Sequence, residues 1–195
     1  MVEKNHFDVV VLGSGPGGYA AAFRAADLGK NVALIEKDKD LGGVCLNRGC
    51  IPSKALLHIS QIIEEAAEME QKGVTFSKPE IDIDRIRDYK NEVVGKLNKG
   101  IAQMAKARKV QVFNGVGEFI SAKEMSVKKD GKEQKISFSN AIIATGSRST
   151  VIPSFPMESP AMMTSREALK LENIPKTLLV IGGGYIGLEM ASVYK

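Results

Sequence analysis

The sequence predicts an α/β fold: a parallel sheet with an antiparallel β-meander, followed by the start of a second α/β unit. Three observations carry that prediction. Phe7–Leu12 (FDVVVL) is a continuous apolar run, the mark of a strand buried on both faces, and a glycine-rich turn and an alanine-rich helical stretch follow it. From Val110 to Ile143 the hydrophobic period shifts towards two, and Asp130-Gly131 is a strong hairpin signal. The order of apolar strand, glycine turn and helix then recurs from Thr177.

The elements follow in order. After Phe7–Leu12 and GSGPGG, a helix is expected over Tyr19–Leu28, closed by Gly29. Asn31–Ile35 (NVALI) reads as the second strand, with Glu36 at its end. Lys37–Asn47 reads as a loop. The pattern then turns helical, with an apolar stripe at Ile59, Ile62, Ile63, Ala66, Ala67 and Met69, and Gly73 ends it. A second helix is expected from Ile83 to Ala107, although Gly95 and Gly100 weaken its middle. VQVF, VGEFI, EMSVKK and KISF alternate and read as a small meander, and Ala141–Ala144 returns to the parallel sheet. A proline-rich connector over 148–176 holds one short helix at Ser165–Leu171. Thr177–Ile181 (TLLVI) reads as a fresh buried strand, and a helix begins at Leu188. These readings divide the chain into domains at 1–147 and 177–195, with the connector between. The chain stops inside its last helix, so a piece of a longer protein is expected.

Composition excludes several classes. The 195 residues are 44% hydrophobic and 26% charged, ordinary globular stock that rules out disorder and collagen-like repeats. Two cysteines are too few for a disulfide scaffold or a four-cysteine zinc site, and two histidines, His6 and His58, leave little for a metal centre, so none is expected. The net charge of +4 comes with no Trp, and the densest basic run, Lys96 to Lys109, is interleaved with apolar residues at helical spacing. That run reads as a solvated helix face, and no nucleic-acid partner is expected. No stretch reaches the ~18 apolar residues of a membrane span. The start of the chain carries Glu3 and resembles no signal or transit peptide, so a cytoplasmic setting is expected.

Three motifs carry chemistry. The first is Gly13-x-Gly15-x-x-Gly18, including Pro16 and Gly17, placed between strand and helix with Glu36 downstream. Gly13 suits a tight turn, Gly15 lets a pyrophosphate approach the backbone, and Gly18 lets helix and strand pack closely. The helix N-terminus offers N–H groups to phosphates, and Glu36 can accept ribose hydroxyls. The second is Gly182-Gly183-Gly184-Tyr185-Ile186-Gly187, the same fingerprint after TLLVI, which suggests a second dinucleotide. The acid that would separate NAD from NADP is not within the chain. The third is GGVCLNRGCIPSK, from Gly42 to Lys54, with Cys45 and Cys50 before a helix. A thiol in a first helical turn is favoured as thiolate, the attacking species in disulfide exchange. An inert pair of thiols is the alternative the residues leave open.

Taken together, GSGPGG, Glu36, GGVCLNRGCIPSK, ATGS and GGGYIG resemble the flavin disulfide reductases over essentially the whole chain. CLNRGCIPSK is most similar to their dihydrolipoamide dehydrogenase branch. The resemblance implies a Rossmann-like FAD-binding domain and the start of an NAD-binding domain. It implies that the first fingerprint, Glu36, and Lys37 to Val44 with Gly42 and Gly43 hold FAD. Cys45 and Cys50 would form the redox disulfide, the first exchanging with substrate and the second lying against the flavin. Lys54 would sit near the flavin, paired with Glu189; a surface lysine is the alternative. Gly117 would admit the adenine, and Thr145, Gly146 and Ser147 would close on the flavin. Gly182 to Gly187 would carry the nicotinamide nucleotide. Tyr185 matches a residue that gates that pocket in some members, where others have an aliphatic.

The implied reaction oxidises dihydrolipoamide to lipoamide with NAD+, in the E3 role of 2-oxo acid dehydrogenase complexes. The implied partners are a lipoyl domain and a second copy in a homodimer. Members are more than twice as long and carry a His–Glu pair in a C-terminal region, so no turnover is expected from this chain alone. The competing readings are a glutathione- or mercuric-reductase-like enzyme and a non-catalytic nucleotide-binding module.

Overall fold

The computed structural model describes residues 5–195, and Glu3 of the start-of-chain reading lies outside them. In chain order the elements are β1 (His6–Leu12), α1 (Pro16–Asp27), β2 (Val32–Glu36), α2 (Gly43–Arg48), α3 (Cys50–Glu68), α4 (Ile83–Ala107), β3 (Gln111–Asn114), β4 (Val116–Phe119), β5 (Glu124–Lys129), β6 (Lys132–Ile143), α5 (Ser165–Ala168) and α6 (Tyr185–Tyr194). They fall into two compact units. One holds the chain up to Asn47 together with Lys96–Arg148, and the other holds Arg48–Gly95 and Ser149–Lys195.

The first unit is built on one sheet in the order β3-β2-β1-β6-β5-β4. β1 runs parallel to β2, with Val9 opposite Val32, and parallel to β6, with Val10 opposite Ala141. β5 runs antiparallel to both β4 and β6. The apolar runs are buried as their continuity predicts: all five residues of β2 are buried, and Val10 and Val11 of β1 are fully enclosed. Phe7, Val10, Ala33 and Ile35 pack on Met125, Val127, Ile136 and Phe138, so parallel strands and meander share one core. The β5–β6 hairpin turns at Asp130 and Gly131, with φ of 49° and 74°. Two positive φ values in a two-residue loop match the twist of the flanking strands.

Two strand assignments differ from expectation. QVF of VQVF lies in β3, an edge strand of the parallel sheet with Leu34 opposite Val112, and the meander has three strands. KISF and Ala141–Ile143 of AIIA are in one 12-residue strand, β6, which pairs antiparallel with β5 in its first half and parallel with β1 in its second. Alternation alone does not state which neighbour a strand takes.

The second unit is helical. α3 continues into a single 3₁₀ turn, Met69–Lys72, and Gly73 ends it at φ 88°. Its buried positions are Pro52, Ser53, Ala55 and Leu56, at its start rather than along the Ile59–Met69 stripe. Leu56 packs there with Ala168, Leu169, Leu171 and Met190. α5 opens on a capping box, in which Thr164 and Glu167 each satisfy the other's backbone N–H. The carbonyls after α5 are met from α4: Arg87 donates to Leu171 O at 3.0 and 2.8 Å, and Lys90 Nζ to Leu169 O at 2.9 Å. Burial, then neighbouring Arg87, pushes the Lys90 ammonium below its ordinary range.

Thr177–Ile181 is not a strand. Leu179 is 82% exposed and Ile181 63% exposed. A strand needs a neighbour for its N–H and C=O groups, and among the described residues this segment joins no sheet. The helix beyond it begins at Tyr185 rather than Leu188, as α1 begins at Pro16 rather than Tyr19. In both places the third glycine of the fingerprint lies inside the first turn.

Candidate functional site

In the first unit the site begins where β1 ends. Gly13 has φ 100°, and its N–H donates to Ile35 O at 2.8 Å. A Cβ on Gly13 would lie 2.3 Å from Ala144 O and 3.2 Å from Thr145 Cα, so the loop is pressed against the end of β6. A Cβ on Gly18 would lie 1.8 Å from Gly13 O, so α1 starts in contact with its own approach loop. Gly15 is different. Its φ of −64° suits any residue, and a Cβ there would meet no protein atom within 4 Å. Gly15 is also the N-cap of α1, with no side-chain cap, and Pro16 is in the first turn. The first-turn N–H groups and the positive end of the helix dipole are therefore directed at this opening. Nothing inside the protein requires Gly15 to be bare, and the opening fits a phosphate group.

Glu36 forms the second wall. It is 6% exposed. One carboxylate oxygen accepts from Ser14 N at 2.9 Å and Ser14 Oγ at 2.5 Å, and the other accepts from Asp38 N at 2.9 Å. A carboxylate has about four acceptor sites, so these bonds hold the group in place and leave capacity for a ligand hydroxyl. Asn114 Nδ2 donates to Glu36 O at 2.9 Å and also to Asp38 O, which holds the chain beyond β2 against β3. Lys37 is exposed.

The cysteine segment grows out of the same loop. Gly42 N donates to Ser14 O at 2.9 Å and Ser14 Oγ at 3.3 Å. A Cβ on Gly43 would lie 2.6 Å from Gly15 Cα. α2 then starts at Gly43, within the stretch expected to be a loop. Six residues are too few to show a helical period, and the double glycine before Val44 was the available signal. Cys45 is half-buried on α2 and Val44 is exposed. Asn47 Nδ2 donates back to Leu41 O at 3.1 Å and Gly43 O at 3.0 Å. Asn98, which sequence reasoning did not single out, donates to Leu41 O at 2.8 Å and to Asn47 Oδ1 at 2.9 Å.

In the second unit Cys50 is exposed at the first position of α3, after Gly49, an N-cap without a side-chain cap. Ser53 Oγ donates to Glu189 Oε2 at 2.6 Å, while Lys54 is exposed. The expected partner of Glu189 was Lys54. Adjacent helical residues point about 100° apart, and the face of α3 turned to α6 presents Ser53. The second glycine loop repeats the first. Gly182 has φ 109°, a Cβ on Gly187 would lie 2.2 Å from Gly182 O, and Gly184 is an N-cap without a side-chain cap. A Cβ on Gly183 or Gly184 would meet nothing within 4 Å. Tyr185 and Ile186 are exposed.

The remaining candidates are less close-knit. Thr145, Gly146 and Ser147 form an exposed segment after β6. Gly117 turns inward: a Cβ there would lie 2.7 Å from Leu12 Cδ1 and 3.2 Å from Ile35 Cγ2, so its missing side chain has a packing reason. Among the described residues no three His, Cys, Asp or Glu side chains are grouped to hold a metal, and no helix is long and apolar enough to cross a membrane.

The family profile of the pyridine nucleotide-disulphide oxidoreductases matches residues 7–195. The chain belongs to this family. Among curated members it is similar to the dihydrolipoyl dehydrogenase of Vibrio parahaemolyticus, 52% identical over 194 residues, and to that of Haemophilus influenzae, 52% identical over 195 residues. In each comparison all of this chain is covered and 41% of the relative. The chain thus spans about two-fifths of the length of these relatives. Among solved members it is similar to the HOCl-induced flavoprotein disulfide reductase RclA from Escherichia coli. The TM-score is 0.80 at 31% identity, covering 96% of this chain and 39% of that one. These oxidoreductases share the mixed α/β architecture described above.

Proposed function

We propose that the chain is the cofactor-holding and cysteine-bearing part of a dihydrolipoyl dehydrogenase, an enzyme that oxidises dihydrolipoamide to lipoamide with NAD+. One observation carries this reading: the glycine cradle and the cysteine helix are one piece. Ser14 accepts from Gly42 N, Gly43 lies close against Gly15, and α2 leaves from there with Cys45. A cradle for a dinucleotide is thereby built into the same loop as a redox thiol.

In this reading Gly13, Gly15–Gly18, Glu36, Lys37, Gly42–Val44 and Thr145–Ser147 hold FAD within a domain over 1–147. Gly182–Gly187 open an NAD-binding domain at 177–195, after the connector. Lys54 would supply a cation beside a bound flavin, and Glu189, which accepts from Ser53 Oγ, lies on the helix after the second glycine loop. A substrate thiolate attacks Cys45 of the Cys45–Cys50 disulfide, and Cys50 leaves as thiolate. The second substrate thiolate attacks the mixed disulfide, which frees lipoamide and leaves a dithiol. The chemistry a bound FAD supplies is two-electron transfer from that dithiol to NAD+. The substrate dithiol is presented by the lipoyl domain of a 2-oxo acid dehydrogenase complex, and the full enzyme is a cytoplasmic homodimer. The 52% identity to dihydrolipoyl dehydrogenases favours this substrate over those of other flavin disulfide reductases.

An anaerobic visible spectrum tests the reading. The purified chain is mixed with FAD, freed of unbound flavin, and then given dihydrolipoamide. Retained flavin absorbance with a new long-wavelength band on reduction is expected. A bound flavin indifferent to dihydrolipoamide overturns it; where flavin separates from the chain, the same spectrum of the full-length enzyme decides, and a flavin there that ignores dihydrolipoamide overturns the reading.

A further inference from the structure

We propose that Asn98 is a positioning residue for the Cys45 thiol, acting through α2; the inference rests on the redox role proposed for that cysteine. α2 has six residues, far below the length at which a helix holds itself together in water. Its attachments therefore decide where Cys45 stands. At the start, Gly42 is tied to Ser14. At the end, Asn47 closes the segment on itself through Leu41 O and Gly43 O.

Asn98 staples both ends. From α4, 51 residues beyond Asn47, its Nδ2 donates to Leu41 O ahead of the helix and to Asn47 Oδ1 in its last turn. Both partners are acceptors, so the orientation of this amide is settled: the reversed group would set oxygen against two oxygens. Asn47 is oriented in turn, since its Oδ1 receives Asn98 while its Nδ2 serves two carbonyls. Aspartate at 98 has the same shape as asparagine but only acceptors, so it converts both bonds into repulsions. Lys99, exposed on the same helix, serves as the neighbouring control.

The test compares the wild-type chain with Asn98→Asp, Asn98→Ala and Lys99→Ala. Each is reduced with a phosphine and alkylated with iodoacetamide, and mass spectrometry resolves the rates at Cys45 and Cys50. In both Asn98 variants the Cys45 rate should rise about tenfold, with Cys50 within about twofold of wild type, as two lost hydrogen bonds would allow. The Cys45–Cys50 equilibrium with glutathione should move towards the dithiol by about tenfold, about 30 mV for two electrons. Lys99→Ala should match wild type in both readouts. If Asn98→Asp gives no cooperative melt, the alanine variant decides. An unchanged Cys45 rate and equilibrium overturn the proposal. Equal acceleration of both cysteines also overturns it, because that is general loosening. A wild-type chain that forms no Cys45–Cys50 disulfide in glutathione buffer defeats the redox reading instead, and the alkylation ratio still judges Asn98.

Discussion

At the scale of single residues, the glycines of one fingerprint do different work. Gly18 is required by the protein itself, since a Cβ there would collide with Gly13 O at 1.8 Å. Gly15 is not, because its φ is ordinary and no protein atom lies within 4 Å of a Cβ. Two alanine substitutions should therefore separate folding from binding. Gly18→Ala should cost roughly 1–3 kcal/mol of stability, as overpacking does. Gly15→Ala should leave stability within about 1 kcal/mol, because a less flexible unfolded chain offsets the poorer N-cap. Its affinity for FAD should fall by about tenfold or more, because the methyl group occupies the approach of the pyrophosphate. Thermal melts and titration of flavin fluorescence read the two effects. A Gly15→Ala chain that binds FAD normally would remove the cradle from the proposed function.

At the scale of elements, short helices depend on their ends. α5 has four residues, and Thr164 and Glu167 cap it reciprocally. The Thr164 hydroxyl, opposed by partial burial and helped by backbone N–H groups, holds the Glu167 carboxyl below the usual carboxylate range. The folded value lies under the unfolded one, so this contribution is fully present above the ordinary carboxyl range. It is lost as pH falls through the folded value. Thr164→Ala should cost about 1 kcal/mol at neutral pH. It should also flatten the acid limb of the melting-temperature profile. A variant whose acid limb stays as steep as wild type would show that the box does not set it. α2 depends on its ends in the same way, with Ser14 and Asn98 outside it and Asn47 within it making the attachments.

At the scale of the whole molecule, the apolar surface is unevenly spent. The paired strands β1 and β2 bury their runs, while Leu179, Ile181 and Leu188 stand in water. Contiguous exposed apolar side chains promote association. Leu179→Thr combined with Ile181→Thr should raise the soluble fraction and lower light scattering at high concentration. The melting temperature should change little, because both side chains are mostly exposed. A large drop in melting temperature would mean that the segment has a structural partner after all.

The sequence by itself determined the βαβ start, the span of α4, the Asp130–Gly131 hairpin, and both glycine fingerprints. Each is a local pattern: an apolar run, a 3.6-residue period, or a glycine where φ is positive or backbones meet. The candidate site residues Glu36, Cys45 and Cys50 are likewise singled out from residue type and spacing. Tertiary structure alone decided that VQVF joins β2, that KISF and AIIA form one strand, and that TLLVI forms none, since pairing depends on what lies alongside. It alone also decided that Glu189 receives Ser53 rather than Lys54, and that Asn98 reaches α2. Hydrogen bonds between residues 51 and 136 positions apart leave no periodic trace in a chain, because periodicity records only which face of an element is buried.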